Sequence, residues 1–525
     1  MNESGKNSTM EPIAIGLCAA SVAGSLFTLI YAATTRIGIG IPGDGQWTWR
    51  VIESPQIYAL GFPLVLTGVM LLLLGYAFFK VEKFTRRLEA GLVAGLFVGS
   101  FGLQVASAGM GPGGHVETLF ASYPPANAYF NRATQIESLH KYLSGYKEQI
   151  EKGEFRVQLS THPPGSIVFY LPFLKTAKLV PGLRGMFRWL APPDAFEVPE
   201  IQMALRTFIR KPEHETAVWM GSFGLRLLAS LVVVSLYLLL RTELEPKVAL
   251  GAAAVGALLP ALYLFNPHPD QLFPAITCLY LFLVYRGLKS MSWRFAAGAG
   301  LTIFCGLFCS LSFLVPGFIS ALVWGMAIYR TRHSEGSAKR HLTILAGGVG
   351  GMLVPAIFLW LLFDHNILSV WQVCLENNDR FNAHSGRIYW KWFLFNPAEL
   401  LIFAGAPLFC LFWFAWSHDL NRRWLGAESP SESSDSGKPP VTLLDIGLAT
   451  GLTLILLNVS GKNLGEVGRL WMIVMPLMAC SAGPMISEWH ENSRRAGGLV
   501  LLLVFVTLVH TIGLRLFVDA MGVFV

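Results

Sequence analysis

The chain has 525 residues, of which 53% are hydrophobic and only 14% are charged. Soluble proteins average about 25% charged residues, so this chain has too few polar side chains to cover a soluble body of its size. The composition excludes a disordered chain, a nucleic-acid-binding tail protein and an ordinary soluble enzyme. A polytopic membrane protein remains, and the net charge of +7 is best explained by basic loops on one side of the membrane.

Apolar runs of about 20 residues, the length that crosses a hydrocarbon core of about 30 Å, predict an all-α transmembrane helical bundle of about 13 spans. The stretch 295–329 is long enough for two spans, with a turn near Ser310 to Pro316. The other predicted spans are 12–34, 57–79, 88–106, 216–240, 248–265, 272–285, 342–363, 397–416, 441–458, 470–486 and 497–517.

The orientation of the bundle depends on the segment 166–181, which is apolar but short and contains Lys175 and Lys178. This segment could cross the membrane or dip in from one side. If it dips and the N-terminus is cytoplasmic, the cytoplasmic segments carry 19 Lys and Arg against 7 in the short outer loops. Because cytoplasmic loops are enriched in Lys and Arg, we predict this topology, in a bacterial cytoplasmic (inner) membrane.

This topology divides the chain into three parts. Residues 1–106 form the first helices with the first outer loop, 107–215 form an extracytoplasmic loop subdomain, and 216–525 form the main bundle. Apolar residues at helical spacing predict an amphipathic surface helix from Asn127 to Ile150. The Ser/Pro/Gly-rich segment 425–440 is typical of a disordered cytoplasmic linker.

The motif STHPPG, from Ser160 to Gly165, opens the dipping segment. Its two prolines hold the backbone extended and would present His162 at the membrane face, where an imidazole can donate to a phosphate or assist proton transfer. The structural alternative is a rigid turn whose histidine satisfies a backbone carbonyl.

A second polar turn, NPHPDQLFP, contains His268 and Asp270 just before an apolar helix. These side chains could contact a ligand or a metal. The alternative is a simple helix cap, because a carboxylate is favoured at a helix N-terminus.

The third cluster, SGKNLGEVGRLW, contains Lys462, Glu466 and Arg469 just outside a predicted span. The acid and the arginine are three residues apart and could pair on one helical face. Such a pair could merely anchor the chain at the interface, but Lys and Arg beside a helix start also suit a phosphate. Ionisable residues at membrane depth are costly and often functional.

Two further outer loops combine charged and aromatic residues. One contains Arg380 within ENNDRFNAHSGRIYWKW, and the first outer loop contains Asp44 within GIPGDGQWTWR. Both loops could bind a sugar or a headgroup, or could be solvated loops with interfacial tryptophans. All five clusters open to the same side of the predicted topology.

The HPP motif leading into a membrane segment, after an outer loop with an aromatic surface helix, resembles the GT-C superfamily of integral-membrane glycosyltransferases. Protein O-mannosyltransferases and aminoarabinose transferases carry HPP in a comparable place. The stretches HPDQLFP and GEVGRLWMIVMP are similar to segments of bacterial members, and the likeness extends loosely over residues 100–485.

This resemblance implies an inverting transferase that moves a sugar from a polyprenyl-phosphate donor to a glycan, lipid or protein acceptor on the extracytoplasmic face. It implies basic residues at the lipid phosphate, here Lys462, Arg469 and Arg380, with Glu466, His268 and Asp270 beside them, and in some members a divalent metal such as Mg or Mn. Family members usually place an acid before an aromatic pair, but Pro125 to Phe130 contains none. The base would then be Glu117 or Asp44, with His162 orienting the acceptor or the phosphate.

Two other functions fit the same composition. A transporter or flippase for a lipid-linked sugar would show internal repeats and polar residues at mid-membrane, whereas no repeat is visible and the polar groups gather at one face. A non-catalytic membrane assembly protein would need no base, which suits the acid-free stretch before Tyr129.

Overall fold

The computed structural model describes residues 7–35, 38–43, 46–52, 55–111, 114–116, 121–123, 128–155, 157–189, 207, 211–384, 386–424 and 439–520. Helices dominate these residues. The first ten, in chain order, are α1 Asn7–Thr34, α2 Gly61–Phe79, α3 Arg86–Ala108, α4 Tyr129–Ala133, α5 Leu139–Ser144, α6 Tyr146–Glu151, α7 Val157–Ser160, α8 Gly165–Val168, α9 Leu171–Leu179 and α10 Leu183–Trp189.

The second half of the chain forms the main bundle. Its helices are α11 Pro212–Leu240, α12 Pro246–Ala257, α13 Pro260–Leu264, α14 Phe273–Ser290, α15 Trp293–Cys309, α16 Leu314–Thr331, α17 Ser337–Phe363, α18 Ile367–His384, α19 Tyr389–Ala404, α20 Ala406–Trp424, α21 Leu443–Ser460, α22 Val467–Leu470, α23 Ala479–Asn492 and α24 Ala496–Phe517. Short 3-10 turns lie at Ile57–Leu60, Gly114–Val116, Pro269–Leu272, Leu311–Phe313 and Met475–Met478.

Within the described ranges, nine helical segments are long and apolar enough to cross a membrane. They identify the chain as an integral membrane protein with a helical bundle. The nine segments are Met10–Thr34, Ile57–Phe79, Arg86–Ala108, Pro212–Leu240, Pro269–Ser290, Leu311–Thr331, Ser337–Phe363, Leu443–Ser460 and Ala496–Phe517.

The other predicted spans are short or broken helices. The run 248–265 is interrupted before Pro260, whose ring cannot continue a helix from the preceding turn. The run 397–416 bends by 118° between α19 and α20, at Gly405 with φ of +84°. Glycine adopts this left-handed backbone at little steric cost, so the bend follows from the local sequence. The run 470–486 contains the 3-10 turn Met475–Met478 and only the first part of α23, a helix of 14 residues that continues to Asn492.

The predicted amphipathic helix from Asn127 to Ile150 is wrong as a continuous element. The described part of this segment forms three short helices, α4, α5 and α6. Leu143, Tyr146 and Ile150 of this segment are at most 4% exposed and belong to the protein core. They are therefore held by tertiary packing and do not form a face at the membrane surface.

Helix α9 is the main element of the segment 166–181, and it has nine residues. At a rise of about 1.5 Å per residue its length is roughly 14 Å, less than half of a hydrocarbon core. Helix α9 is therefore too short to cross a membrane.

A small sheet lies beside the bundle and qualifies the predicted all-α class. Strands β1 (Ile39–Gly40) and β2 (Thr48–Val51) form an antiparallel hairpin in the first outer loop. Strand β3 (Val518–Asp519) follows α24 and pairs with β2 through Val51 and Val518. The sheet thus joins the first outer loop to the end of the last helix.

Polar contacts link loops within each of the two sets that the predicted topology defines. In the predicted cytoplasmic set, Arg330 binds the buried Asp445 with two hydrogen bonds of 2.5 and 2.6 Å, and Arg241 pairs with Glu89 at 3.1 Å. In the predicted outer set, the first outer loop contacts the segments around residues 387 and 399, and Glu399 in turn accepts a hydrogen bond from the Gly468 backbone N–H. The candidate functional site lies in this outer set.

Candidate functional site

Tyr129 lies at the centre of a buried polar cluster in the outer set of loops. Its ring centroid is 5.9 Å from that of His162 and 5.9 Å from that of His268, and both imidazoles meet it edge-on. The tyrosine begins α4 and is 1% exposed. A single aromatic ring therefore brings together two histidines that are far apart in the sequence.

His162 is held by the turn that the HPP motif forms. The hydroxyl of Tyr146 donates to the His162 carbonyl at 2.8 Å, and Oγ1 of Thr161 lies 3.0 Å from His162 Nδ1. Pro164 then precedes α8, where its fixed φ suits the start of a helix. These contacts orient the imidazole toward Tyr129.

The HPDQ turn supplies the second histidine and the first acid. His268 caps the 3-10 turn Pro269–Leu272 by accepting the Asp270 backbone N–H at Nδ1, over 3.2 Å. Gln271 Oε1 accepts the His268 N–H at 3.3 Å. The same Nδ1 lies 3.3 Å from Asp270 Oδ2, while Nε2 is buried with no hydrogen-bond partner among the described residues. The side chain that caps this turn is therefore the His268 imidazole and not the Asp270 carboxylate of the cap interpretation, and the turn fixes the two side chains side by side.

The GEVGR turn carries the second acid and the central arginine. Arg469 Nη2 lies 2.7 Å from Glu466 Oε2, and Arg469 Nε lies 3.8 Å from Asp270 Oδ2. Glu466 itself has a φ of +58°, a left-handed backbone that costs a non-glycine residue about 1–3 kcal/mol. Gly465 before it has a φ of +82°, and a Cβ there would lie 2.7 Å from the Trp392 ring. The sequence GE thus allows a sharp turn that directs Glu466 toward Arg469.

Arg387 closes the cluster from the loop before α19. Its Nη2 donates to Glu466 Oε1 at 2.6 Å and its Nη1 donates to the Leu464 carbonyl at 2.6 Å. The guanidinium also lies 5.5 Å from the Trp47 ring of the first outer loop. We name the complete set the outer cluster, and its members are Tyr129, His162, His268, Asp270, Arg387, Glu466 and Arg469.

The electrostatics of the outer cluster keep Glu466 and Arg469 charged. Burial alone would raise the pKa of Glu466, but the charges of Arg469 and Arg387 outweigh it and leave that pKa below its ordinary value. Burial alone would lower the pKa of Arg469, but Glu466, Asp270 and Tyr129 leave it raised. Burial, reinforced by Asp270, raises the pKa of the Tyr129 hydroxyl well above its ordinary value, so this group is a neutral phenol at pH 7.

Arg469 is the most accessible charged group of this arrangement. Its side chain is 27% exposed, whereas those of Asp270 and Glu466 are each 10% exposed. Its Nε has no hydrogen-bond partner among the described residues. Because a guanidinium has several donors in a fixed plane and suits phosphate oxygens, an anion entering the outer cluster would meet Arg469 first.

Two of the predicted phosphate-binding residues lie on the exposed surface. Lys462 Nζ pairs with Asp379 Oδ1 at 2.8 Å, with the two side chains 67% and 63% exposed. Arg380 donates to Asn377 Oδ1 at 3.4 Å and is also exposed. Within the part of the chain that the structure describes, no hydrogen bond or ion pair links Lys462 or Arg380 to Arg469 or Glu466. The two predicted bases, Glu117 and Asp44, lie outside the described residues, as does the linker 425–440 up to residue 438.

The side chains that the structure describes include no group of three or more His, Cys, Asp or Glu that could hold a metal ion. In the outer cluster the carboxylates of Asp270 and Glu466 already face arginines. The donor set of the outer cluster therefore fits an anion better than the predicted divalent cation.

Three contributors to the site were not among the predicted site residues. Tyr129 and Arg387 belong to the outer cluster, and Glu399 contacts the GEVGR turn from α19 through the Gly468 N–H at 3.3 Å. Glu399 is a lone acid within the apolar run 397–416, and an ionisable residue in such a run is a signal of function. The sequence signal for Tyr129 as a site residue is weaker, because aromatic pairs such as Tyr129-Phe130 are common in packed cores.

No protein-family model matches the chain, and no curated protein matches it. The fold and the site therefore define the class: an integral membrane helical protein with a buried, charge-balanced cluster among its predicted outer loops. Any more specific assignment depends on the chemistry of that cluster.

The lowered pKa of Glu466 makes a pH dependence of stability testable. A carboxyl whose pKa is lower in the folded state stabilises the protein above its unfolded pKa, and this contribution is lost as the pH falls. We expect the melting temperature to fall on acidification below the ordinary value of 4.5, and to fall less steeply in Glu466→Gln. Thermal unfolding of the purified protein across this range measures both slopes. Glu151→Gln, at an exposed glutamate, should leave the wild-type slope unchanged, and equal slopes in all three proteins would contradict the role of Glu466.

Proposed function

We propose that this protein is a GT-C-like membrane glycosyltransferase that moves a sugar from a polyprenyl-phosphate donor to an acceptor hydroxyl on the extracytoplasmic face, with inversion. We also propose that the protein lies in the bacterial inner membrane, with its N-terminus in the cytoplasm and with about 13 spans. In that count, the short helices α12–α13, α15 and α23 and the bent pair α19–α20 would supply the spans beyond the nine long ones.

One observation carries the proposal. The three motifs that resemble the superfamily, HPP, HPDQ and GEVGR, come from distant parts of the chain and contribute His162, Asp270 and Arg469 to one cluster. His268 and His162 flank the same tyrosine, and Arg469 reaches Asp270 at 3.8 Å. Such convergence is expected of a site for one substrate and is not needed for three independent helix caps.

The chemistry assigns a role to each part. A carboxylate, Glu117 or Asp44, would take the proton of the acceptor hydroxyl while its oxygen attacks the anomeric carbon. The bond from that carbon to the phosphate oxygen breaks, and the electron pair passes to the lipid phosphate. Arg469 would stabilise the charge that develops there, with Glu466 and Arg387 fixing its position. His162 or His268 could donate a further hydrogen bond to the phosphate.

An apolar groove near Arg469 suits the lipid part of such a donor. It has a volume of about 290 Å³ and lies in the bend between α19 and α20, where α21 and Trp471 also line it. Trp471 is two residues beyond Arg469. A prenyl chain in this groove would have its phosphate near the outer cluster.

The direct test incubates the purified protein with polyprenyl-phosphate sugars and measures release of polyprenyl phosphate. We expect release that depends on an acceptor and falls sharply in a Glu117→Ala, Asp44→Ala double variant. Full turnover in that variant would refute both proposed bases. Parallel reactions with Mg²⁺, Mn²⁺ and EDTA test the predicted metal. Uptake of unchanged donor into vesicles, without release of polyprenyl phosphate, would favour the flippase. If the protein shows neither release nor uptake, the assembly protein is favoured.

Filling the groove should affect long donors selectively. Ile455 lines the groove and is 38% exposed, so Ile455→Trp should raise the KM for a long-chain donor. We expect the KM to increase by about tenfold, or 1.4 kcal/mol. The effect is limited to this size because a prenyl tail that moves from lipid into the groove gains packing contacts but little hydrophobic free energy. A short-chain donor should be unaffected. Leu452→Trp, on the same helix but outside the groove, is the matched control, and an equal effect of both variants would remove the groove from the proposal.

A further inference from the structure

Glu399 is a buried acid that contacts two separate parts of the site. It lies on α19 and is 0% exposed. Its Oε1 accepts a hydrogen bond of 2.7 Å from Trp49 Nε1, in the first outer loop, and one of 3.3 Å from the backbone N–H of Gly468. Its Oε2 has no hydrogen-bond partner among the described residues.

The two donors connect Glu399 to elements that flank the outer cluster. Gly468 directly precedes Arg469, so the Gly468 N–H sets the position of the arginine backbone. Trp49 is 3% exposed and packs against Phe265 at 5.1 Å and against Phe403 at 5.5 Å between ring centroids. Phe265 begins the turn that leads to His268, so Trp49 also borders the HPDQ turn.

The surrounding contacts leave little freedom to this arrangement. A Cβ at Gly468 would lie 2.5 Å from the Phe403 ring, so the turn already lies as close to α19 as its backbone allows. The first outer loop is fixed a second time through Gln46, whose Oε1 accepts from Trp392 Nε1 at 3.0 Å and whose Nε2 donates to the Gly386 carbonyl at 3.0 Å. The loop, α19 and the GEVGR turn therefore form one unit around the Glu399 carboxyl.

From this geometry we infer that Glu399 is a positioning residue that couples the first outer loop to Arg469. One carboxyl oxygen holds the Trp49 indole and the Gly468 amide together, so a displacement of the loop is transmitted to the arginine backbone. This inference rests on the proposed function for its effect on turnover, but the coupling itself does not depend on any substrate. A purely structural acid would stabilise the fold without linking these two segments.

The test compares Glu399→Ala and Glu399→Gln in the full-length purified protein. The alanine variant removes the shared acceptor, and we expect turnover to fall about 10- to 100-fold, because small misplacements of a catalytic group have effects of that size. Glutamine keeps an acceptor oxygen at the same place and should restore most of the activity. The alanine substitution should cause a smaller loss when Arg469 is already lysine, since both changes act on the same group.

Hydrogen exchange provides the second readout. Glu399→Ala should raise amide exchange in both 46–52 and 464–471, whereas Asp445→Asn, at a buried acid in the cytoplasmic set of loops, should change neither segment nor turnover. Faster exchange in only one segment, or full additivity with the Arg469→Lys change, would overturn the inference. A wild-type protein that releases no polyprenyl phosphate would refute the proposed function alone, because the exchange result would still decide the coupling.

Discussion

Replacing Arg469 with alanine should reduce sugar transfer about 10²- to 10³-fold, the usual effect of removing one preorganised donor to a developing oxyanion. The arginine is the most exposed charge of the outer cluster, and its Nε has no hydrogen-bond partner among the described residues. Loss of the guanidinium would also leave Glu466 with Arg387 as its remaining cation. Steady-state release of polyprenyl phosphate, corrected for the folded fraction, measures the effect.

Two variants make this result interpretable. Arg469→Lys keeps a positive charge beside Glu466 but loses the planar set of donors, so we expect a folded protein with an intermediate loss of activity. Lys462→Ala removes an exposed cation that pairs with Asp379 and should change turnover by less than about twofold, since exposed pairs contribute little. If Lys462→Ala were as damaging as Arg469→Ala, the phosphate site would lie at the surface and not in the outer cluster.

Replacing Tyr129 with alanine should be the most damaging single change to both folding and activity. Truncation of a fully buried aromatic ring costs about 3–5 kcal/mol of stability, and here it also removes the surface against which His162 and His268 pack. We expect a lower melting temperature and no measurable transfer. Tyr129→Phe keeps the ring and should retain most of the stability, so its activity isolates the role of the hydroxyl.

Tyr263→Ala is the matched control for the cavity that truncation of a buried tyrosine leaves behind. Tyr263 is 0% exposed and its hydroxyl lies 3.1 Å from Ser100 Oγ, inside the bundle and outside the outer cluster. It should lose a similar amount of stability while the folded fraction keeps its activity. Equal specific activities for the two alanine variants would mean that Tyr129 contributes packing alone.

Hydropathy predicted the long helices well and the broken ones poorly. The nine segments long enough to cross a membrane each coincide with a predicted apolar run or with one half of 295–329. The failures have local causes: Pro260 divides one run, Gly405 bends another, and the run after Trp471 is divided between a 3-10 turn and a short helix. Mean hydropathy measures how strongly a segment prefers an apolar environment. It does not distinguish a helix that crosses lipid from a short segment that is buried in the protein interior.

The candidate site was predictable where charge was scarce. His162, His268, Asp270, Glu466 and Arg469 stand out because an apolar chain places few ionisable groups, and the structure brings all five into one cluster. Their partners could not be found in this way. The role of Tyr129 depends on the break of the predicted helix into short pieces, which packing decides.

The surface loops show the opposite error. Lys462 and Arg380 have the residue types of a phosphate site. Lys462 lies four residues before Glu466, and Arg380 lies on α18, seven residues before Arg387. The exposure of Lys462, 67% for its side chain, depends on the direction of its turn, which Gly461 and Gly465 determine with φ of +63° and +82°. The exposure of Arg380 depends on which face of α18 it occupies. Residue type alone does not determine whether such a side chain is exposed or faces the outer cluster.

The pairing of β2 with β3 has a consequence for how the protein is made. Strand β2 belongs to the first outer loop and leaves the ribosome early, whereas β3 follows α24, after all the other helices have been synthesised. The β1–β2 hairpin that contains Trp49 can form early, but the pairing of Arg50 and Val51 with β3 cannot form before then. Until translation has passed residue 519, the first outer loop of a partly synthesised chain therefore lacks this strand pairing.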